Sequence, residues 1–192
     1  MMKWELRKVT KRYGDVLVLD QFSCFLVEGQ VNILQGSSGG GKTTLLRLLM
    51  GLEEPDAGIL PVWSSYRISV VFQEDRLCDN LSAFSNIKFV VGSHISDETI
   101  GQAFSSVGLP KDNSKPVRAY SGGMRRRVAL VRALLASYDI LLLDEPFKGL
   151  DRKTKERVIA YTLSMTKGKT VLLVTHDSHE AMQMHGENLI NL

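Results

Sequence analysis

The sequence predicts an α/β domain with a mostly parallel sheet, and three observations lead to that fold class. Short segments of strand composition alternate with helical segments along the chain. Residues 140–143 (ILLL) and 171–174 (VLLV) are apolar without alternation, as expected of strands that are covered on both faces. A glycine-rich turn, residues 36–41, joins a predicted strand to a predicted helix. These features together predict parallel strands that are connected by helices.

The elements can be assigned in order along the chain. Strands are predicted at residues 4–9, 16–27, 31–34, 67–72, 140–143 and 170–174, with a last strand near residues 189–192. Helices are predicted after Lys42, Ser121, Asp151 and His176, and a turn at residues 55–58 ends the first of them. Two weaker helical patterns cover residues 83–91 and 97–107, with no strong strand candidate between them. They predict a helical subdomain inserted into the core, at approximately residues 74–137 when the helix after Ser121 is included.

Length and composition exclude several classes of protein. A chain of 192 residues with 44% hydrophobic and 23% charged residues predicts one globular domain over residues 1–192. The net charge of +3 is too small to predict a nucleic-acid partner, and no aromatic residue interleaves with the arginines at 125–127, which are interpreted as a solvated helix face. The sequence has no signal peptide and no segment that could span a bilayer. Cys24 and Cys78 match no metal spacing and predict a reducing compartment.

The glycine-rich turn has the composition of a P-loop, GSSGGGKT at residues 36–43. Glycines let backbone N–H groups converge on phosphate oxygens, and the helix that follows adds its positive dipole end. Lys42 is expected to neutralise the β- and γ-phosphates, and the Thr43 hydroxyl to ligate Mg²⁺. The predicted phosphate-binding residues are Gly36, Ser37, Ser38, Gly39, Gly40, Gly41, Lys42, Thr43 and Thr44.

Two acids, Asp144 and Glu145, end the apolar segment at residues 140–143. Carboxylates at the end of a parallel strand face the crevice where α/β sheets bind ligands. Asp144 is therefore expected to hold Mg²⁺, directly or through water, and Glu145 to polarise an attacking water. Without the P-loop, two solvated acids at a strand end would be the better interpretation.

A second phosphate site is predicted where Ser121, Gly122 and Gly123 open a helix. Serine is a favoured N-cap, and the two glycines leave backbone N–H groups bare for an anion. Taken alone, the three residues predict only a helix cap. Their position after the P-loop and ahead of Asp144 favours the phosphate site over a simple helix cap.

With these three elements in this order, the chain resembles ATP-binding cassette (ABC) ATPases over essentially its whole length. The resemblance implies further residues of the ATP site. Tyr13 would stack on adenine, although a structural tyrosine at a strand edge is the alternative. Gln73 would sense Mg²⁺ and the attacking water, Asp151 would lie in the loop that follows the acids, and His176 would contact the γ-phosphate.

The resemblance also implies partners. ATP and Mg²⁺ would be sandwiched in a head-to-tail dimer, with Ser121, Gly122 and Gly123 of one ATPase domain closing on the P-loop of the second. A separate transmembrane permease would be driven from the cytoplasmic, inner face of the membrane, with a solute-binding protein reached through the permease. Two residues depart from the family's usual signature, Tyr120 and Met124. The short stretch between Lys42 and Gln73 implies a trimmed β-subdomain around residues 59–69, and no regulatory extension is expected.

Three segments are similar to ATPases of the nitrate/sulfonate/taurine importer group: residues 72–77 (FQEDRL), 175–181 (THDSHEA) and 188–192 (NLINL). The leading hypothesis is therefore an ATP-hydrolysing importer motor. Two alternatives stay open at this point. One is a non-transport ABC ATPase that acts on nucleic acid or ribosomes, and the other is a regulatory cassette that binds ATP without useful hydrolysis.

Overall fold

The computed structural model describes residues 3–63, 65–110 and 115–192. The strands are β1 (Lys3–Tyr13), β2 (Val16–Val27), β3 (Val31–Gln35), β4 (Ala57–Ile59), β5 (Ile68–Val71), β6 (Ile140–Asp144), β7 (Thr170–Val174) and β8 (Asn188–Asn191). The helices are α1 (Lys42–Leu49), α2 (Ala83–Val91), α3 (Asp97–Ser106), α4 (Gly122–Leu135), α5 (Arg152–Met165) and α6 (Ser178–Gln183), with short 3₁₀ turns at Gly92–His94 and Val117–Ala119. The predicted α/β class is confirmed. No helix in the described ranges is long and apolar enough to cross a bilayer.

The chain divides into two compact units. The first, called the sheet unit, comprises Met1–Ile68, Asp139–Asp144 and Gly168–Leu192. The second, called the helical unit, comprises Ser69–Tyr138 and Glu145–Lys167. The helical unit thus includes α5, which the sequence did not assign to an inserted subdomain. The single-domain organisation and its boundaries stay predictions.

The core of the sheet unit is a run of parallel strands in the order β6-β7-β3-β8. Every residue of β6 and β7 is buried, which is the arrangement that their unbroken apolar sequence predicts. Val174 is the register partner of both Asp144 in β6 and Leu34 in β3. The carboxyl ends of these three strands therefore lie at one edge of the sheet, and the loops that follow them start from that edge.

An antiparallel sheet of three strands, in the order β2-β1-β4, completes the sheet unit. Its first two strands, β1 and β2, lie near the N-terminus, where the sequence predicted strands. Of the β-subdomain expected around residues 59–69, Ile59 is the only described residue that belongs to this sheet. The predicted turn at 55–58 is partly wrong, because Ala57 and Gly58 belong to β4. Gly58 has φ +95°, and a Cβ there would lie 2.3 Å from the carbonyl oxygen of Lys8. This glycine permits close approach of two strands, which local sequence cannot distinguish from a turn.

Three helices of the helical unit, α2, α3 and α4, begin at serine N-caps. The side chains of Ser82, Ser96 and Ser121 accept hydrogen bonds from the backbone N–H groups three residues further on. The predicted helix at 83–91 is observed with those bounds, and the one at 97–107 ends a residue earlier. Apolar side chains of the three helices are fully buried, among them Ile87, Phe104 and Leu130. These contacts hold α4, which begins directly after Ser121, in a fixed place in the unit.

Asn32, a polar residue in the middle of β3, is fully buried in the sheet unit. Its Oδ1 accepts from the N–H of Val27 at 2.8 Å, and its Nδ2 donates to the carbonyls of Val27 and Val171 at 3.1 and 3.2 Å. The side chain therefore joins β2, β3 and β7 with all its polar groups satisfied.

Replacing Asn32 with alanine is expected to lower the free energy of unfolding by about 3 kcal/mol, since buried backbone groups lose their partners. Urea unfolding followed by tryptophan fluorescence checks this, because both tryptophans, Trp4 and Trp63, belong to the sheet unit. Asn191→Ala, at an exposed position of β8, is the matched control and should change stability little. Equal effects of the two substitutions would contradict the assignment of Asn32 as a buried polar junction.

Candidate active site

The P-loop connects β3 to α1 at the carboxyl edge of the parallel sheet, as the sequence predicted. Gly39 and Gly41 have φ values of +79° and +88°, in the left-handed region that favours glycine. A Cβ on Gly41 would also lie 3.0 Å from side-chain atoms of Val18 and Leu19 in β2. The turn is thus closely packed on one side, while Ser37, Ser38 and Gly39 are exposed on the other.

Lys42, the first residue of α1, folds back over the P-loop. Its Nζ donates hydrogen bonds to the carbonyl oxygens of Gly36 at 2.9 Å and Ser37 at 2.6 Å. The ammonium group therefore lies at the same turn whose N–H groups and helix dipole attract anions. This arrangement places a positive charge where the sequence predicted phosphate binding.

Thr43 and Asp144 come together from distant parts of the sequence. The Thr43 Oγ1 lies 3.3 Å from Oδ2 of Asp144. Asp144 is buried and is the last residue of β6. The described residues contain no cluster of three or more His, Cys, Asp or Glu that could hold a metal by itself. A hydroxyl and one carboxylate nevertheless suit Mg²⁺, which keeps several waters and takes its remaining oxygens from substrate phosphates. The residues present therefore fit a magnesium ion that is bound together with a nucleotide.

His176 follows β7 at the same sheet edge, and its side chain is exposed. The loop that carries it is held by Thr175, which is buried. The Thr175 Oγ1 donates to Oε2 of the buried Glu180 at 2.6 Å and accepts from the N–H of Asp177 at 3.1 Å. The sheet unit thus brings the P-loop, Asp144 and His176 to one edge.

Tyr13, at the end of β1, lies beside the first turn of α1. Its hydroxyl donates to the carboxylate of Glu53. This hydrogen bond is the main reason that the pKa of Tyr13 is raised, and a hydrogen bond with the Thr44 side chain acts in the opposite direction. The residue is 44% exposed, and the ammonium of Lys11 lies 5.5 Å from the centroid of its ring. Sequence reasoning missed Glu53, since nothing in the sequence pairs it with Tyr13.

The Ser121–Gly123 segment lies in the helical unit, at the start of α4. Ser121 is exposed, and its Oγ accepts from the N–H of Met124 at 3.3 Å, so the predicted N-cap is confirmed. A Cβ on Gly122 would meet no atom within 4 Å. At Gly123 the nearest atom, on Leu150, would be 3.4 Å away. The start of α4 is therefore open on the side of Gly122.

Glu145 opens the loop after β6 and has a left-handed backbone, with φ +47°. Its carboxylate accepts from Nζ of Lys148 at 2.6 Å, and its side chain is 17% exposed. Its carbonyl oxygen accepts from Nη2 of Arg126 at 2.9 Å. A non-glycine residue in this conformation is strained by about 1–3 kcal/mol and persists where its surroundings hold it. The sequence indicated Glu145 but not its contacts with Lys148 and Arg126.

Two further predicted residues belong to the helical unit. Gln73 is exposed in the loop that follows β5. Asp151 is the N-cap of α5, where its Oδ1 accepts from the N–H of Thr154 at 3.0 Å. The hydrogen bonds from Thr154 lower the pKa of Asp151. In this structure the Asp151 carboxylate therefore caps its own helix.

The interpretation of residues 125–127 as a solvated helix face is wrong. Arg126 is 5% exposed, and the guanidinium groups of all three arginines contact protein. Arg125 forms an ion pair with Asp79 at 2.8 Å, while Arg127 donates to the carbonyl of Gly108 at 2.7 Å. The three arginines therefore connect α4 to neighbouring loops of the helical unit, which a run of charges in a sequence does not reveal.

The fold and these groups define a P-loop nucleoside triphosphatase of the α/β class. The sequence profile described as "ABC transporter" matches residues 19–148, which is more than half of the chain. The chain belongs to the ABC transporter family, as its motifs predicted, and it is an ATPase subunit that binds and hydrolyses ATP.

Similar proteins are found among transport ATPases. The aliphatic sulfonates import ATP-binding protein SsuB 2 of Paraburkholderia xenovorans is 39% identical, over 96% of this chain and 75% of that protein. The Nod factor export ATP-binding protein I of Cupriavidus pinatubonensis is 36% identical, over 94% of this chain and 60% of that protein. A dimeric bacterial ABC transporter cassette superposes with a TM-score of 0.85 at 29% identity, covering 100% of this chain and 94% of the cassette. The same cassette is also known in a dimeric post-hydrolysis state with ADP and phosphate.

Proposed function

We propose that the chain is the motor of a prokaryotic importer and that it hydrolyses ATP to drive a separate membrane-spanning permease. The observation that carries the ATP chemistry is the contact between Thr43 at the start of α1 and Asp144 at the end of β6, beside Lys42. The sulfonate-import relative supports import, as do the similar segments at residues 72–77 and 175–181. The match to the export relative covers a smaller share of that protein, 60% against 75% for the sulfonate-import relative, and the identity is lower, 36% against 39%.

In the proposed site, the backbone N–H groups of residues 36–44 receive the phosphates. Lys42 exchanges its contacts with two carbonyl oxygens for contacts with the β- and γ-phosphates, which gives charge-assisted hydrogen bonds. Thr43 and Asp144 would hold Mg²⁺, which would supply positive charge against the phosphate oxygens. Tyr13, oriented by Glu53, presents its ring to the adenine.

Hydrolysis is assigned to three side chains. Glu145 takes a proton from the attacking water, as a carboxylate general base. Gln73 orients that water and contacts the bound Mg²⁺, and His176 contacts the γ-phosphate. Lys148 holds the Glu145 carboxylate in place through their ion pair at 2.6 Å.

A second ATPase domain completes each site in this proposal. Ser121, Gly122 and Gly123 of one domain close on the γ-phosphate held by the other, with Asp151 in the adjoining loop. The open N-terminus of α4 at Gly122 supports this, because its N–H groups can reach an anion. The dimeric cassette that resembles this chain supports a paired arrangement.

Replacing Ser121 with aspartate tests the closure. Aspartate is as good an N-cap as serine, so α4 is preserved, but its charge opposes the γ-phosphate of the second domain. We expect ATP affinity to change less than about threefold, whereas ATP-dependent dimerisation weakens by at least about tenfold, since like charges in contact are strongly unfavourable. Analytical ultracentrifugation with ATP measures the second quantity.

Ser96→Asp is the matched control, since Ser96 caps α3 in the same way but has no role in the proposed phosphate contact. Its dimerisation should match the unmodified chain. A Ser121→Asp variant that dimerises normally with ATP would contradict the assigned role of the Ser121–Gly123 segment.

The transport role is tested by purifying the chain with its membrane partner. We propose that this partner is a permease bound on the cytoplasmic side of the membrane, and that a solute-binding protein reaches the motor only through it. Stimulation of ATP hydrolysis by a co-purified multi-span permease is the expected result. A chain that binds ATP but hydrolyses none, either alone or with that permease, would instead be a regulatory cassette.

A further inference from the structure

Arg126 occupies an unusual place for an arginine, because its side chain is only 6% exposed and lies among backbone carbonyls. Its Nη1 donates to the carbonyl of Phe72 at 2.5 Å, and its Nη2 donates to the carbonyl of Glu145 at 2.9 Å. Asp75 balances the charge, with Oδ1 at 3.3 Å from Nη1. One planar group thus joins α4 to two separate loops of the helical unit.

One carbonyl belongs to the residue before Gln73, and the other belongs to Glu145 itself. Phe72 directly precedes Gln73, and Glu145 is the proposed base. A guanidinium carries its N–H donors in a fixed fork, so contacts through Nη1 and Nη2 fix the separation of the two carbonyls to which they donate. Lysine and glutamine cannot hold both carbonyls in the same way.

The backbone of Glu145 depends on this contact. Its carbonyl also accepts from the N–H of Lys148 at 3.2 Å, so both acceptor positions of that oxygen are used. These hydrogen bonds orient the peptide group after Glu145 and so restrain the ψ angle of a residue whose φ of +47° is already strained. Loss of the guanidinium would allow that peptide to rotate, and the carboxylate would move with it.

We propose that Arg126 is a positioning residue for ATP hydrolysis, one that fixes Glu145 relative to the loop that carries Gln73. The inference rests on the proposed roles of those two residues. Arg126 touches neither water nor nucleotide in this proposal, and it acts only through the two carbonyls. ATP binding, which belongs to the P-loop, does not depend on it.

The test compares Arg126→Gln, Arg126→Lys and Arg157→Gln in the purified chain with MgATP. Arg157 is the matched control, because its guanidinium also donates to carbonyls of the helical unit, those of Ser105 and Ser106, away from Glu145. We expect Arg126→Gln to lower kcat by about tenfold to a hundredfold, the scale of a misplaced catalytic group. KM for MgATP should change less than about threefold, and Arg126→Lys should recover part of kcat.

Hydrogen–deuterium exchange without nucleotide gives a second measurement that does not depend on turnover. Arg126→Gln should raise exchange at residues 72–76 and 145–149, while Arg157→Gln should leave these segments unchanged. Exchange at the level of the unmodified chain, or equal loss of kcat in the two glutamine variants, would overturn the inference. Normal turnover by Glu145→Gln would instead overturn the proposed base, and the exchange result would still decide whether Arg126 holds the two loops.

Discussion

Replacing Glu145 with glutamine is expected to slow ATP hydrolysis by about a thousandfold, within the range that a general base contributes. The side chain keeps its shape and its hydrogen bond with Lys148, but it can no longer accept a proton from water. ATP should still bind, because the phosphate contacts belong to the P-loop. The variant should therefore accumulate as an ATP-bound dimer, which size-exclusion chromatography with labelled ATP and single-turnover kinetics would detect.

Glu156→Gln provides a matched control for that experiment. Glu156 lies in the same unit, and its pairing with Arg152 at 3.1 Å is similar to the pairing of Glu145 with Lys148. Removing its charge should leave hydrolysis unchanged. Full turnover by Glu145→Gln would exclude Glu145 as the base and would direct attention to another group near the attacking water.

Lys42→Ala should instead weaken nucleotide binding itself, by about tenfold to a hundredfold in Kd, the size of a lost charge-assisted hydrogen bond to phosphate. The ammonium is already held at the P-loop by the carbonyls of Gly36 and Ser37. Isothermal titration calorimetry with MgATP measures the change.

Lys167→Ala removes an equal charge from an exposed position after α5 and should leave the Kd for MgATP as it was. The thermal midpoint of each variant should be recorded with the affinity, since Lys42 also ties two carbonyls of the P-loop together. An unchanged affinity in Lys42→Ala would contradict the proposed phosphate role of Lys42.

Sequence reasoning located the strands of the parallel sheet and the P-loop because both have local signatures. Continuous burial of β6 and β7 requires unbroken apolar runs, and a phosphate turn requires glycines between a strand and a helix. Position along the parallel strands then placed Asp144 and His176 at the same edge. These predictions needed no knowledge of which distant side chains would meet.

What escaped the sequence depends on contacts between distant residues. Arg126 meets Glu145 and Phe72, and Tyr13 meets Glu53, although no repeat or spacing links these positions. Gly58 was interpreted as a turn residue because the local sequence does not distinguish a glycine in a turn from a glycine that lets a neighbouring strand approach closely. Charge runs are ambiguous for the same reason, since burial of an arginine depends on the carbonyls that surround it.

The order of residues on α4 has a consequence for timing. Ser121 begins the segment proposed to meet the second domain. It lies five residues before Arg126, which is proposed to hold Glu145, and this is about 7.5 Å along a helix axis. A short hydrogen-bonded helix moves largely as one unit, so a displacement at its first turn is expected at the next turn as well. Arrival of the second domain and alignment of the proposed base would then be a single concerted event, with no slow loop rearrangement between them.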